Sequence, residues 1–123
     1  METKKIQNFT DLIAWQEAHG LVLIIYTETS LFPDTEKFSL VSQMRRSAIS
    51  ITSNIAEGFG RSGAREKAQF YAIAKGSLLE LQSQLYIARD LAYMTGEKCK
   101  DLEDKIFLLT KLIAGLVRSA MRR

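Results

Sequence analysis

The sequence predicts an all-α chain folded as an antiparallel up-and-down four-helix bundle, and three observations carry that prediction. Apolar residues recur in steps of three and four through four long stretches. No alternating strand pattern competes with them. The connectors between the stretches are short, which favours antiparallel neighbours. The 123 residues are 46% apolar and 25% charged, with one proline and seven glycines. That balance fits a single bundle domain over residues 1–123 and excludes disordered, collagen-like and low-complexity chains.

The first helix is expected over about residues 10–30, with Leu12, Trp15, Val22, Ile25 and Tyr26 at helical intervals and Thr10 or Asp11 as its cap. Pro33 separates it from a second helix over about 35–58. There Val41, Met44, Ala48, Ile51 and Ile55 form a bundle seam that ends near Gly58 or Gly60. A glycine-rich connector, Gly58 to Gly63, follows, with Ser62 as the expected cap of the next helix. That third helix should run over about 64–95 on Phe70, Ala74, Leu78, Leu81, Leu85, Ala88 and Ala92, with Gly96 as its stop. Leu102, Ile106, Leu109, Ile113 and Leu116 define the fourth, over about 99–121, which runs toward the basic end Arg122-Arg123.

The third helix carries a second apolar stripe, Ala72, Leu79, Tyr86 and Tyr93, well away from its seam. Two readings stand: a long central helix touches two neighbours inside its own bundle, or the stripe is a subunit interface. In the second reading the side of helix two opposite its seam, with Arg46, Ser50, Ser53 and Glu57, would receive it through its small serines. Joining different faces of identical chains gives a heterologous contact that closes into a ring or runs on as a filament. Ser50, Ser53, Leu79 and Tyr86 are therefore the candidate oligomer-interface residues.

Several functions lose their support. The longest apolar run, Leu21 to Tyr26, is far short of the ~20 residues that cross a bilayer. Met1 to Asn8 lacks the apolar stretch of a secretory signal, so the cytoplasm is the expected compartment and no membrane partner is expected. Cys99 is the only cysteine, which excludes an internal disulfide and a cysteine zinc site, and it reads as a free surface thiol on a turn. The one histidine, His19, lacks the Glu-x-x-His spacing of a di-iron bundle and reads as a packed or partly exposed residue beside Trp15 and Val22. Glu57 and Glu80 are candidate buried carboxylates whose needs Ser77, Gln84 or Asn54 would meet by hydrogen bonding. The glycine connector lacks the order of a phosphate loop and follows a helix instead of a strand. No catalytic residue, metal site or cofactor is expected.

Charge is the better lead. Between Lys37 and Lys75 seven cations stand against Glu57 and Glu66, giving +5, while the rest of the chain carries −2 of the net +3. Arg45, Arg46, Arg61 and Arg65 are the candidate nucleic-acid contacts, acting on phosphates through charge and counterion release. No helix-turn-helix, zinc-finger or aromatic ribonucleoprotein motif accompanies them, so base reading is not expected. A solvated basic face is the plain alternative.

One family pattern is specific. Phe32-Pro33-x-x-Glu36-x-Phe38-x-Leu40, Gln43-Met44-Arg45-Arg46-Ser47-Ala48 and Ser53-Asn54-Ile55-Ala56-Glu57-Gly58 closely resemble the bacterial 23S ribosomal RNA intervening-sequence proteins, a family of four-helix bundles. Ala74-Lys75-Gly76-Ser77-x-x-Glu80-Leu81, Gln84-Leu85 and Phe9-x-x-Leu12-x-x-Trp15 extend the resemblance over nearly the whole chain. Ser39 departs from it, since related sequences often have glycine there. The resemblance implies a homopentameric ring without catalysis. It also implies kinship with accessory subunits of retroelement reverse transcriptases, whose basic surface binds RNA or DNA and the enzyme. The expected function is thus a non-enzymatic helical scaffold for nucleic acid, with a protein-only adaptor or self-assembly module as the alternative.

Overall fold

Four helices fill a computed structural model that describes residues 5–122. Met1 to Lys4 and Arg123, parts of the N-terminal segment and basic end read above, lie outside the described residues. The helices are α1 (Ile13–Thr29), α2 (Leu40–Phe59), α3 (Ala64–Asp90) and α4 (Gly96–Met121), and the described residues contain no strand. Each helix packs on its neighbour in sequence and α1 also packs on α4, which closes the square expected of an up-and-down bundle. Three of the predicted seams meet in its centre: Met44, Ala48, Ile51 and Ile55 face Ala74, Leu78, Leu81 and Leu85, with Leu102, Ile106, Leu109 and Ile113 beside them, while α1 contributes Ala14, Ala18, Leu21 and Ile25 in place of the expected Leu12, Trp15, Val22 and Tyr26.

The ends of the helices differ from the expected ones, and each difference has a local cause. The chain enters through a 3-10 turn, Phe9–Asp11, capped by Asn8 in place of Thr10 or Asp11, and α1 starts at Ile13 after Leu12 without a side-chain cap. Asp11 answers the Asn8 cap by accepting from the backbone N–H of Gln7 and Asn8. Pro33 leads into a second 3-10 turn, Asp34–Glu36, so α2 starts at Leu40 and not near residue 35. Ser62 does not cap α3; Gly63 occupies that position with no side chain to offer.

The largest correction is at the far end of α3. The helix stops at Asp90 because Ala92 turns left-handed at φ 62°, the only positive φ among the described residues. The N–H of Tyr93 then donates to the carbonyl of Ala88 and that of Ala92 to Arg89, both at 2.9 Å, which closes the last turn. Ala92 is exposed and not part of the seam. Gly96 stops nothing; it opens α4, where the Thr95 hydroxyl accepts from the N–H of Lys98 at 3.1 Å.

Candidate nucleic-acid interface

The four candidate arginines fall into two groups at opposite ends of α2, roughly 24 Å apart along its axis. Arg45 and Arg46 lie near its start, beside the end of α1. Arg45 is fixed: its Nε donates to Thr29 Oγ1 at 2.9 Å, its Nη2 reaches the Tyr26 carbonyl at 3.4 Å, and its guanidinium lies 4.4 Å from the centre of the Tyr26 ring. This places a cation on the last carbonyls of α1, where the helix dipole favours it. Arg46, one residue on and about 100° around the helix, is exposed with no such tether.

Both line a groove of about 620 Å³ with Tyr26, Lys37, Phe38 and Ile49. Among the described residues three cations line it and no acidic side chain does. Phe38 is 88% exposed, the most exposed large apolar side chain described, and the Lys37 ammonium stands 5.5 Å from its ring centre. The groove thus sets positive charge beside aromatic surface that no other part of the described chain covers.

At the other end of α2, Arg61 and Arg65 do not join this site. Arg61 is spent on its own turn, with a 2.6 Å ion pair to Glu57 and its guanidinium 4.7 Å over the Phe70 ring. Its Nε is buried without a hydrogen-bond partner among the described residues. Arg65 is exposed on the first turn of α3.

The candidate interface residues separate as well. Ser50 turns toward α3, where its Oγ accepts from Ser77 Oγ at 2.8 Å and from Asn54 Nδ2 at 3.1 Å. It thus joins the contact between α2 and α3 while also lining the groove. Ser53 is exposed beside Glu57, Gly60 and Arg61. Tyr86 is half-buried with its hydroxyl on the Glu103 carboxylate of α4, which holds Glu103 below the usual carboxylate range and raises the phenol. Tyr93 packs on Phe32 and its hydroxyl donates to Glu36 at 2.8 Å. The second stripe is therefore internal at Tyr86 and Tyr93, while Ala72 and Leu79 remain exposed, Leu79 by 58%.

Two further expectations are corrected, those for the two glutamates and for Cys99. Glu57 and Glu80 are exposed, not buried, because the α2 and α3 faces that carry them point away from the core. Cys99 is buried within α4, with its Sγ 3.9 Å from the Leu85 carbonyl, and burial raises the thiol pKa. His19 is exposed and stacks on Trp15 with ring centres 4.8 Å apart. Among the described residues no three His, Cys, Asp or Glu side chains gather as a metal would need. No helix there is long and apolar enough to cross a membrane.

Sequence reasoning missed Tyr26 and Phe38 as parts of the site. The spacing puts Ile25 and Tyr26 on one α1 stripe, but only Ile25 is buried and Tyr26 turns outward. Phe38 sits in a connector, where no periodicity reports on exposure; its only signal was its adjacency to Lys37.

The model of the 23S rRNA-intervening sequence protein family matches residues 10–115. The chain belongs to that family. Its fold is also that of a crystal structure of a protein of unknown function from the S23 ribosomal protein family of Bacteroides thetaiotaomicron. The TM-score is 0.78 and the sequence identity 19%, over 86% of this chain and 96% of the other. No curated protein matches the chain. The family match runs through α1, α2, α3 and most of α4, and so includes the whole groove.

Proposed function

We propose that this intervening-sequence protein is a non-enzymatic, self-assembling scaffold of the cytoplasm that binds RNA or another nucleic acid through the groove between α1 and α2. The observation that carries the reading is the groove itself: Lys37, Arg45 and Arg46 without a carboxylate, beside an almost fully exposed Phe38. Phosphates would be held by charge, with release of their counterions. Phe38 offers a ring on which an unpaired base can stack, a contact that tolerates any base. In the homopentameric ring that the family resemblance implies, the groove would recur once per subunit, and linked weak contacts on one strand would raise affinity without new chemistry. A nucleic-acid enzyme such as a reverse transcriptase would meet the same complex.

Titration of a hairpin RNA with a single-stranded flank, repeated at rising salt, tests this reading. Arg46→Glu and Lys37→Glu should each weaken binding across sequences and lower the salt slope by about one per subunit engaged. Binding that is absent at low salt, or unchanged in the double variant, rejects it. The second reading, a protein-only adaptor or assembly module, draws on Ile73, Leu79 and Ile87, which lie exposed on the outer side of α3. Leu79→Lys should then split an assembly seen by native mass spectrometry while helix content is retained, and a wild-type monomer at micromolar concentration would exclude self-assembly altogether.

A further inference from the structure

The end of the bundle remote from the groove holds a cavity of about 490 Å³. It lies between the connector of α2 and α3, the N-terminal segment and the last turns of α4. Leu12, Leu116 and Ala120 supply apolar wall, Lys67, Tyr71 and Ser119 supply polar groups, and no acidic residue among those described lines it. Its size is that of ordinary small-molecule sites, which share this pattern of apolar wall and few polar groups.

Two features set it apart from a surface dent. Tyr71 lines the cavity with only 3% of the residue exposed, and no described residue hydrogen-bonds its hydroxyl, which is therefore open to a ligand. Burial also raises the phenol's pKa, so it stays protonated and able to donate. The second feature is the start of α3. Ala64 lines the cavity, and the preceding Gly63 has no side chain with which to cap the first N–H groups of the helix. Such groups favour an anion, both by hydrogen bonding and by the helix dipole. Beside them the Lys67 ammonium donates to the Phe59 carbonyl at 2.7 Å and reaches the Gly58 carbonyl at 3.4 Å, which leaves one of its three protons for another acceptor.

We propose that this cavity is a binding site for a small aliphatic carboxylate. The acid group would be received by Tyr71, Lys67 and the start of α3, and the chain by Leu12, Leu116 and Ala120. The site is independent of the nucleic-acid groove, since it uses none of that groove's residues.

Isothermal titration of the full chain with decanoate, below its micelle concentration, tests the proposal. Saturable binding is expected, about tenfold weaker for octanoate because two methylenes leave the wall. Decylamine, which offers a cation to the same groups, should bind far more weakly than decanoate. Tyr71→Phe keeps the ring and removes the donor, and should weaken decanoate about tenfold. Ala120→Phe fills the apolar end and should abolish binding, which keeps the test open if Tyr71→Phe does not fold. Arg46→Glu should leave decanoate binding unchanged. No saturable binding to the wild-type chain overturns the proposal, as does decylamine binding as tightly as decanoate. Binding that survives Ala120→Phe, or that ignores a folded Tyr71→Phe, overturns it too.

Discussion

The two ends of α2 use the same residue type for opposite purposes. At its C-terminal end two cations are engaged by the fold, Arg61 pairing with Glu57 and covering Phe70 and Lys67 donating to the last carbonyls of the helix, while Arg65 stays exposed away from any aromatic groove. At its N-terminal end only Arg45 is consumed, as the tie to Thr29 and Tyr26 of α1, while Arg46 and Lys37 face the open groove with Phe38. Net charge therefore says little about where a polyanion would bind. What distinguishes the ends is whether carbonyls, carboxylates and rings already occupy the cations. One end is built for closure and the other presents unspent charge beside an uncovered aromatic ring.

If the C-terminal end is built on close packing, its tightest point should be the most sensitive. Gly58 is buried within α2, and a Cβ there would come 2.7 and 2.9 Å from ring carbons of Tyr71 and 3.2 Å from Phe70 Cβ. Gly58→Ala is expected to cost about 1–3 kcal/mol despite alanine's better helix propensity, read as a lower urea midpoint. At the other end, Arg45→Ala removes a charged donor to a buried hydroxyl oxygen and should cost about 1–2 kcal/mol. Its neighbour supplies the contrast: Arg46→Ala should change stability by less than about 0.5 kcal/mol, since nothing in the fold depends on it. Equal losses for the two arginines would erase the distinction between spent and unspent charge.

The turn between α3 and α4 gives a smaller effect of opposite sign. Ala92 is exposed and left-handed, a conformation in which its Cβ is a cost, so Ala92→Gly is expected to stabilise by about 0.5–1 kcal/mol in the same assay. The subtlest test is one of pH. Glu36 accepts from Ser39 Oγ at 2.6 Å and from the Tyr93 hydroxyl at 2.8 Å, and these bonds hold its pKa below the ordinary 4.5. The carboxylate's contribution is therefore complete above pH 4.5 and is lost as pH falls through the lowered folded value. Glu36→Gln should show a shallower loss of stability than the wild type between pH 5 and pH 2. Parallel acid limbs would show that the Glu36 bonds contribute nothing.

The core was legible in α2, α3 and α4, but not at the helix ends and not in α1, where Ala14, Ala18 and Leu21 are buried while Leu12, Trp15 and Val22 are half-buried and Tyr26 is exposed. The seam of α2, Val41, Met44, Ala48, Ile51 and Ile55, is buried at every position, because a period of 3.6 registers burial directly. The end of α3 was misplaced by five residues because Gly96 carries the expected stop signal, whereas the actual reversal uses an alanine. That reversal is accompanied by contacts remote in sequence, the Phe32 ring and the Glu36 carboxylate on Tyr93. Local propensity does not encode such partners. The site shows the same split: the basic segment was visible in composition, but which arginines were already occupied depended on Thr29, Tyr26 and Phe70, chosen by packing. Cys99 was misread for a related reason, since its charged sequence neighbours project outward from a helix whose inner face carries the thiol.

The most direct test compares the salt dependence of RNA binding in Lys37→Glu/Arg46→Glu with that in Arg61→Glu/Arg65→Glu, each pair adding the same charge change at one end of α2. The account predicts that the first pair abolishes binding at low salt and flattens the slope, while the second weakens it only through the loss of overall charge. Equal losses from the two pairs, or the larger loss from Arg61 and Arg65, would contradict it.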